Sequence, residues 1–329
     1  MSLPLDPHQY TLKKTVSCCG VGLHSGRTVH LTIKPAPVDN GIRFFRADML
    51  PGQHIKAHMD KVVNTSLATT IGDSNYTIST TEHLLAALRG YGIDNADIEL
   101  DANEVPIMDG SAEPFFVLMK KSGKKKQAGY RKMLRITHPI TYQDGDKHIT
   151  IHPYEGFKVT GEIDFDDDVI KNQKFTISLH DDHFVKEIAR ARTFGYAEQV
   201  EELWANGMAL GGTLANVIAI HWNRKSILNE DGLRFEDEFI RHKVLDLVGD
   251  LTLLGCQILG HVVAYKTGHS QHLSFMKAIA DAPHCWELIE CNKNGSHAVI
   301  DHLVAGTRAA GEMIMPFFTA RAKAEPLPA

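Results

Sequence analysis

Between His242 and Asp250, in the stretch RHKVLDLVGD, four ionisable side chains fall within nine residues: His242, Lys243, Asp246 and Asp250. Val244, Leu245, Leu247 and Val248 give this stretch the apolar pattern of a helix. On a helix His242 and Asp246 lie four residues apart on one face, where both can reach a single metal ion. They would supply two ligands of a three-ligand catalytic site. Asp250 continues that face one turn on, while Lys243 sits beside the first ligand and points elsewhere. An apolar run through Leu251, Leu253, Leu254 and Cys256 then carries the helix into a core. Charged groups held against a core need a metal or ionic partners to offset their desolvation.

Other chemistry-bearing residues are scattered. Glu82 and His83 follow Ser79, Thr80 and Thr81 and precede LLAAL, which predicts a helix start capped by a hydroxyl side chain. Read alone, His83 is equally a hydrogen-bonded helix-start residue and Glu82 a charge favourable to the dipole. DDHFVKEIARARTFGY predicts an amphipathic helix capped by Asp181 or Asp182 and ending near Thr193 to Gly195. Thr193 would aim a hydroxyl into a cleft from that end, and Phe194 is either core or a platform for a ring. Gly211 and Gly212 make a turn between a short helix and an apolar strand. A strand ending at Tyr265 leads to a turn at Thr267 and Gly268, where His269 stands. Lys266, His269 and His272 are individually ambiguous. His24, in GVGLHSG, reads as a turn residue, and that run lacks the GxGxxG of a dinucleotide site.

The elements that must position these groups are those of a soluble globular chain. Its 329 residues suffice for two ordinary domains or one large one. A net charge of -5 gives no reason to expect nucleic acid. The lysine-rich LMKKSGKKKQAG is short and lacks interleaved aromatics, so it reads as a domain linker. No signal peptide or membrane-spanning run is visible, which predicts a cytoplasmic protein. Five scattered cysteines do not form a disulfide framework, and with 19 histidines a single one is weak evidence. Alternation at Val29, Leu31 and Ile33, and strand-like runs after Tyr130, mix with helical segments.

His83, His242 and Asp246 together offer a His2Asp zinc site with an open position for water. Spacing does not itself bring His83 to the other two. The chain resembles the bacterial zinc-dependent UDP-3-O-acyl-N-acetylglucosamine deacetylase family, which carries out the committed deacetylation of lipid A biosynthesis. GVGLHSG, TEHLLAAL, IMDGSAEPF, ARTFG, LNEDGLRFEDEFIRHKVLDLVGD and AYKTGH occur in the family's order, across about residues 10 to 306. The resemblance implies one catalytic zinc ion bound by His83, His242 and Asp246, with Glu82 as general base and His269 as general acid. It implies that Asp250 orients and charges His269, that Lys243 contacts substrate or transition state, and that Thr193 donates to the oxyanion. Phe194 and Gly212 match positions near the sugar, nucleotide or acyl route.

The implied fold is α+β: two related two-layer domains of sheets packed with helices, with the active site at their interface. Residues 1–126 would form the first, with a small sheet inserted near Asn40 to Thr70. Residues 127–306 would form the second, and 307–329 a flexible tail. A βαβ insert around 194–220 would form an apolar acyl passage; its Leu203, Trp204, Met208, Leu210 and Leu214 suit that use or ordinary core packing. One departure follows His269, where this chain reads SQHLSF and the family commonly has a small residue and paired asparagines.

The implied substrate is an acylated UDP-sugar, attacked by water in a monomeric enzyme. Zinc would acidify the water, Glu82 would accept its proton, and His269 would protonate the departing amine. Two competing readings are a zinc amidohydrolase for another N-acetylated sugar and a non-enzymatic nucleotide-sugar or metal-binding protein.

Overall fold

In the computed structural model, which describes residues 6–49, 52–180, 182–291 and 297–299, the alternation in the third strand sorts side chains between core and solvent. Val29, Leu31 and Ile33 are wholly buried, while Thr28 and His30 are exposed. That strand, Thr28–Pro35, belongs to a five-stranded sheet in the order Val16–Val21, Thr28–Pro35, Ala96–Leu100, Ile42–Arg46, Ile55–Lys56. A separate three-stranded sheet is made by Val62–Asn64, Thr70–Gly72 and Thr77–Ile78.

The second unit is built on an eight-stranded sheet. Its central strand, Gln257–Tyr265, pairs antiparallel with Lys147–His152 and parallel with both Phe157–Asp164 and Lys132–Ile136. The fold is therefore α+β, with helices packed on sheets in two units.

Among the described residues there are five α-helices: α1 Glu82–Tyr91, α2 Glu113–Ser122, α3 Val200–Ala205, α4 Glu238–Leu251 and α5 His269–Ala280. Helix α2 packs on α1 and the strand Val16–Val21, whereas α4 and α5 pack on the second sheet. The two units meet where α1 lies on α4. LLAAL makes that contact possible, because Leu84 to Leu88 are buried on every side of α1. Gly249 sets its closeness: a Cβ there would lie 2.1 Å from the Glu82 carbonyl oxygen. Only the missing side chain lets the backbones approach so far. Glu82 and His83 thus face the polar side of α4.

Two expectations change. The helix foreseen through Arg192 is only one wide turn, Phe184–Ile188, so Thr193 lies beyond it. Arg192 draws the chain away, since its N–H and its guanidinium both bond to Glu238, each at 2.9 Å. Both partners are buried, and removing either would leave an uncompensated charge. Phe194–Tyr196 then forms a strand parallel to Ile218–Ile220, with α3 between them. The lysine-rich linker also takes regular form: Lys124–Tyr130 pairs antiparallel with His8–Leu12. Its ladder needs only backbone groups, so the lysines remain at the surface.

No helix of the described residues is long and apolar enough to cross a membrane. The expected cap at Asp181, the end of the expected second domain and the 307–329 segment lie outside the described residues.

Candidate active site

Three donor atoms converge between α1 and α4. His83 Nε2 is 3.5 Å from Asp246 Oδ1, and His242 Nε2 is 3.4 Å from the same oxygen. All three residues are buried. Asp246 Oδ1 has no hydrogen-bond partner, an expensive state for a buried carboxylate oxygen. The spacing suits another occupant: a tetrahedral ion with bonds of about 2.0 Å separates its ligands by about 3.3 Å. His242 Nδ1 lies 3.1 Å from the Ala191 carbonyl, which fixes the tautomer that leaves Nε2 a lone pair. Burial holds the His242 pKa down at about 3, so the ring is neutral, as a ligand must be. Burial alone would raise Asp246, yet its neighbours His242 and Lys243 outweigh it and hold the carboxyl well below its usual range. Two imidazoles and one carboxylate fit a single zinc ion with a position open.

Beside this cluster lie a carboxylate and an imidazole. Glu82 Oε2 accepts the Thr69 N–H at 3.0 Å, and its Oε1 stands 4.0 Å from His269 Nε2. Burial pushes the Glu82 pKa up, against the pull of His269 and His83. The expected hydroxyl cap of α1 is absent. Thr81 occupies the cap position, but its hydroxyl donates to the Thr69 carbonyl at 3.1 Å. The threonine at the helix start thus anchors the segment that holds Glu82.

His269 opens α5, where Gly268 precedes it in extended conformation. Its Nδ1 is 2.7 Å from Asp250 Oδ2. Burial alone would lower its pKa, but the Asp250 charge and hydrogen bond raise it to about 9. Asp250, conversely, is held at about 2 despite burial, mainly by His269. Asp250, His269 and His272 form a second group of possible metal donors. Its 2.7 Å separations are hydrogen-bond lengths, shorter than ligand spacings around one ion, so we read it as a hydrogen-bonded set.

Lys243 does not point away from the metal cluster as its neighbour spacing suggested. Its Nζ reaches Asp246 Oδ2 at 2.9 Å and lies 5.7 Å from the centre of the Phe194 ring. Phe194 packs edge-on to Phe239 and His242, so its half-buried ring borders the cluster. Thr193 gives its N–H to the Gly110 carbonyl and accepts at its own carbonyl from Ile218, both at 2.8 Å. Its side chain is the part left to act. Gly212 lies in the turn after α3, where a Cβ would come within 3.2 Å of the Ala209 carbonyl oxygen and 3.7 Å of Leu23. None of Leu203, Trp204, Met208, Leu210 and Leu214 is buried, so they do not form core here.

Several contributors escaped the sequence reading. Thr69 binds Glu82 through its backbone and Asp250 through its hydroxyl, the latter at 2.6 Å. Nothing in NTSLATTIG marks one threonine above another. Glu104 accepts from the backbones of His24 and Ser25 and from the Thr80 hydroxyl, tying GVGLHSG to the approach of α1. His24 lies in a turn, as its sequence suggested, with both ring nitrogens buried without a partner. Gly211 sits against that loop; a Cβ there would lie 2.2 Å from the Gly22 carbonyl oxygen.

Comparison with known proteins agrees with this geometry. The family profile described as UDP-3-O-acyl N-acetylglycosamine deacetylase matches residues 9–281. A protein from Pseudomonas entomophila (strain L48) named UDP-3-O-acyl-N-acetylglucosamine deacetylase is 47% identical over 283 residues, covering 85% of this chain and 93% of its own. Proteins of the same name from Teredinibacter turnerae and Acidithiobacillus ferrooxidans are 45% and 46% identical over 283 and 284 residues. Those alignments cover 85% and 86% of this chain and 93% of each relative.

Proposed function

The chain belongs to the UDP-3-O-acyl N-acetylglycosamine deacetylase family, and from that premise we propose that it hydrolyses the 2-acetamido group of a UDP-3-O-(3-hydroxyacyl)-N-acetylglucosamine. The products are acetate and the free 2-amino sugar of lipid A biosynthesis. The observation that carries this reading is the convergence of His83, His242 and Asp246 beside Glu82 and His269. His83, His242 and Asp246 would hold the zinc ion. A bound zinc supplies Lewis acidity, which acidifies water and polarises a carbonyl.

The chain's own groups supply the proton transfers. Glu82 accepts a proton from the water that attacks the acetamide carbonyl; its buried site raises its basicity toward that task. The Thr193 hydroxyl, next to Phe194 at the edge of the cluster, donates to the oxygen that becomes negative in the tetrahedral intermediate. His269, kept protonated by Asp250, gives its proton to the nitrogen as the C–N bond breaks. Lys243 stays cationic because Asp246 outweighs its burial, and it favours negative charge near Phe194. Phe194 and Gly212 border the route of the sugar, nucleotide or acyl chain.

The apolar surface on the inserted βαβ unit supports recognition of the 3-O-acyl group. Trp204, Leu210 and Leu214 are 51%, 52% and 48% exposed, a large apolar display for neighbouring segments. A cytoplasmic, monomeric enzyme is the corresponding setting. Acetate release should be compared on the nucleotide sugar with and without its acyl chain. We expect kcat/KM to fall by at least about 100-fold without the chain, since many buried methylenes at about 0.8 kcal/mol each are lost. Equal rates on both would show an amidohydrolase for a different N-acetylated sugar.

A further inference from the structure

Two imidazoles of α5 reach one oxygen. His269 Nδ1 and His272 Nδ1 each lie 2.7 Å from Asp250 Oδ2, while the Thr69 hydroxyl donates to Oδ1 at 2.6 Å. His272 is the inner member, 1% exposed, and its Nε2 is 3.1 Å from the Thr267 hydroxyl. It belongs to SQHLSF, where the chain departs from the pattern it otherwise follows.

Chemistry distinguishes the two rings. Burial lowers the His272 pKa, against its hydrogen bond to Asp250. Asp250 carries one negative charge and His269 already uses it, so a second protonated ring there would go uncompensated. A neutral His272 can donate from Nδ1 to Asp250 and accept at Nε2 from Thr267. The carboxylate is then fixed at three points, by Thr69, His269 and His272. Turning it about its bond would break at least one of them.

We propose that His272 is a positioning residue for the deacetylation: it fixes the Asp250 carboxylate against His269 and, by sharing its oxygen, limits how firmly Asp250 holds the His269 proton. The inference rests on His269 as general acid. The charged and titratable groups facing His269 are Asp250 and Asp246 from α4, Glu82 from α1 and His272 from its own helix. Those facing His272 are Asp250 and Lys243 from α4 and His269 from α5. Loss of the His272 donor leaves Asp250 more basic and its grip on the His269 proton tighter.

Profiles of kcat against pH for zinc-loaded wild type, His269→Ala, His272→Ala and His272→Asn test this, with zinc content measured for each. His272→Ala is expected to lower kcat by about tenfold with KM within about twofold, and to move the alkaline limb upward by about half a unit or more. His272→Asn, whose amide N–H can donate to the same oxygen, is expected to restore the limb and most of kcat. Nitrogen-15 spectra of the wild type should show His272 as the neutral Nδ1–H tautomer between about pH 6 and 9.

An alkaline limb unmoved in His272→Ala, with kcat within about twofold of wild type, overturns the inference. A His272 ring that protonates within that window overturns it as well. If His269→Ala keeps the wild-type limb, the general-acid reading fails and this inference with it. If His269→Ala loses the limb while His272→Ala leaves it in place, the inference alone fails. Should His272→Ala not fold, the asparagine variant and the tautomer decide: an asparagine variant with a displaced limb, or a charged His272, counts against it.

Discussion

Glu82 and His269 face each other across 4.0 Å, and the surroundings of both favour the protonated form. Burial raises the Glu82 pKa from 4.5, and Asp250 raises that of His269 from 6.5 to about 9. In the proposed mechanism Glu82 must be deprotonated and His269 protonated. The rate must therefore rise as pH passes the Glu82 value and fall as it passes that of His269, giving a bell. A bound cation opposes protonation of His269, so the alkaline limb belongs between 6.5 and about 9. His269→Ala should abolish that limb, and Glu82→Gln should cut kcat by roughly 100- to 10,000-fold with zinc content unchanged. An intact limb in His269→Ala would transfer the acid role to another group. Of these residues, His242 and Asp246 were readable from helical spacing and Asp250 from the next turn of the same face. Thr69 was not, because its role depends on bringing together groups 13 and 181 residues away.

The meeting of α1 and α4 decides whether these groups come together at all. Apolar periodicity made both helices readable, since LLAAL and the valines and leucines of RHKVLDLVGD are buried as their pattern requires. Their contact was not readable, because apolar periodicity in a helix does not name its partner. Gly249 carries that information: a Cβ would sit 2.1 Å from the Glu82 carbonyl oxygen. Gly249→Ala should push the helices apart and destabilise the protein by about 1–3 kcal/mol, measured by denaturant unfolding. It should also lower zinc affinity, because His83 moves with α1 while His242 and Asp246 move with α4. A variant with wild-type stability and zinc affinity would show that the crossing tolerates separation. The shortened helix before Thr193 has the opposite lesson. Its pattern was helical, but the buried Arg192–Glu238 pair outweighed local preference.

The two α+β units are arranged so that neither holds the site alone. The five-stranded sheet and its helices carry Glu82 and His83, and the eight-stranded sheet and its helices carry His242, Asp246, Asp250 and His269. Strand alternation made the mixed class readable; Val29, Leu31 and Ile33, for example, are all buried. The lysine-rich stretch was not legible as a strand, because its side chains carry no apolar alternation, and it is held by its backbone ladder and by polar contacts such as that of Gln127 with Asn95. The strand–helix–strand unit between Phe194 and Ile220 displays apolar side chains that composition alone could not separate from core.

The central claim is that the ligand set from both units, loaded with one zinc ion, hydrolyses the acetamide. Metal content and acetate release from the acylated substrate should be measured on the same samples: as isolated, after chelation, and after stoichiometric zinc is restored. We predict about one zinc per chain in active protein, loss of at least about 100-fold in rate on its removal, and recovery in proportion to zinc returned. Full acetate release by zinc-free protein would contradict the account.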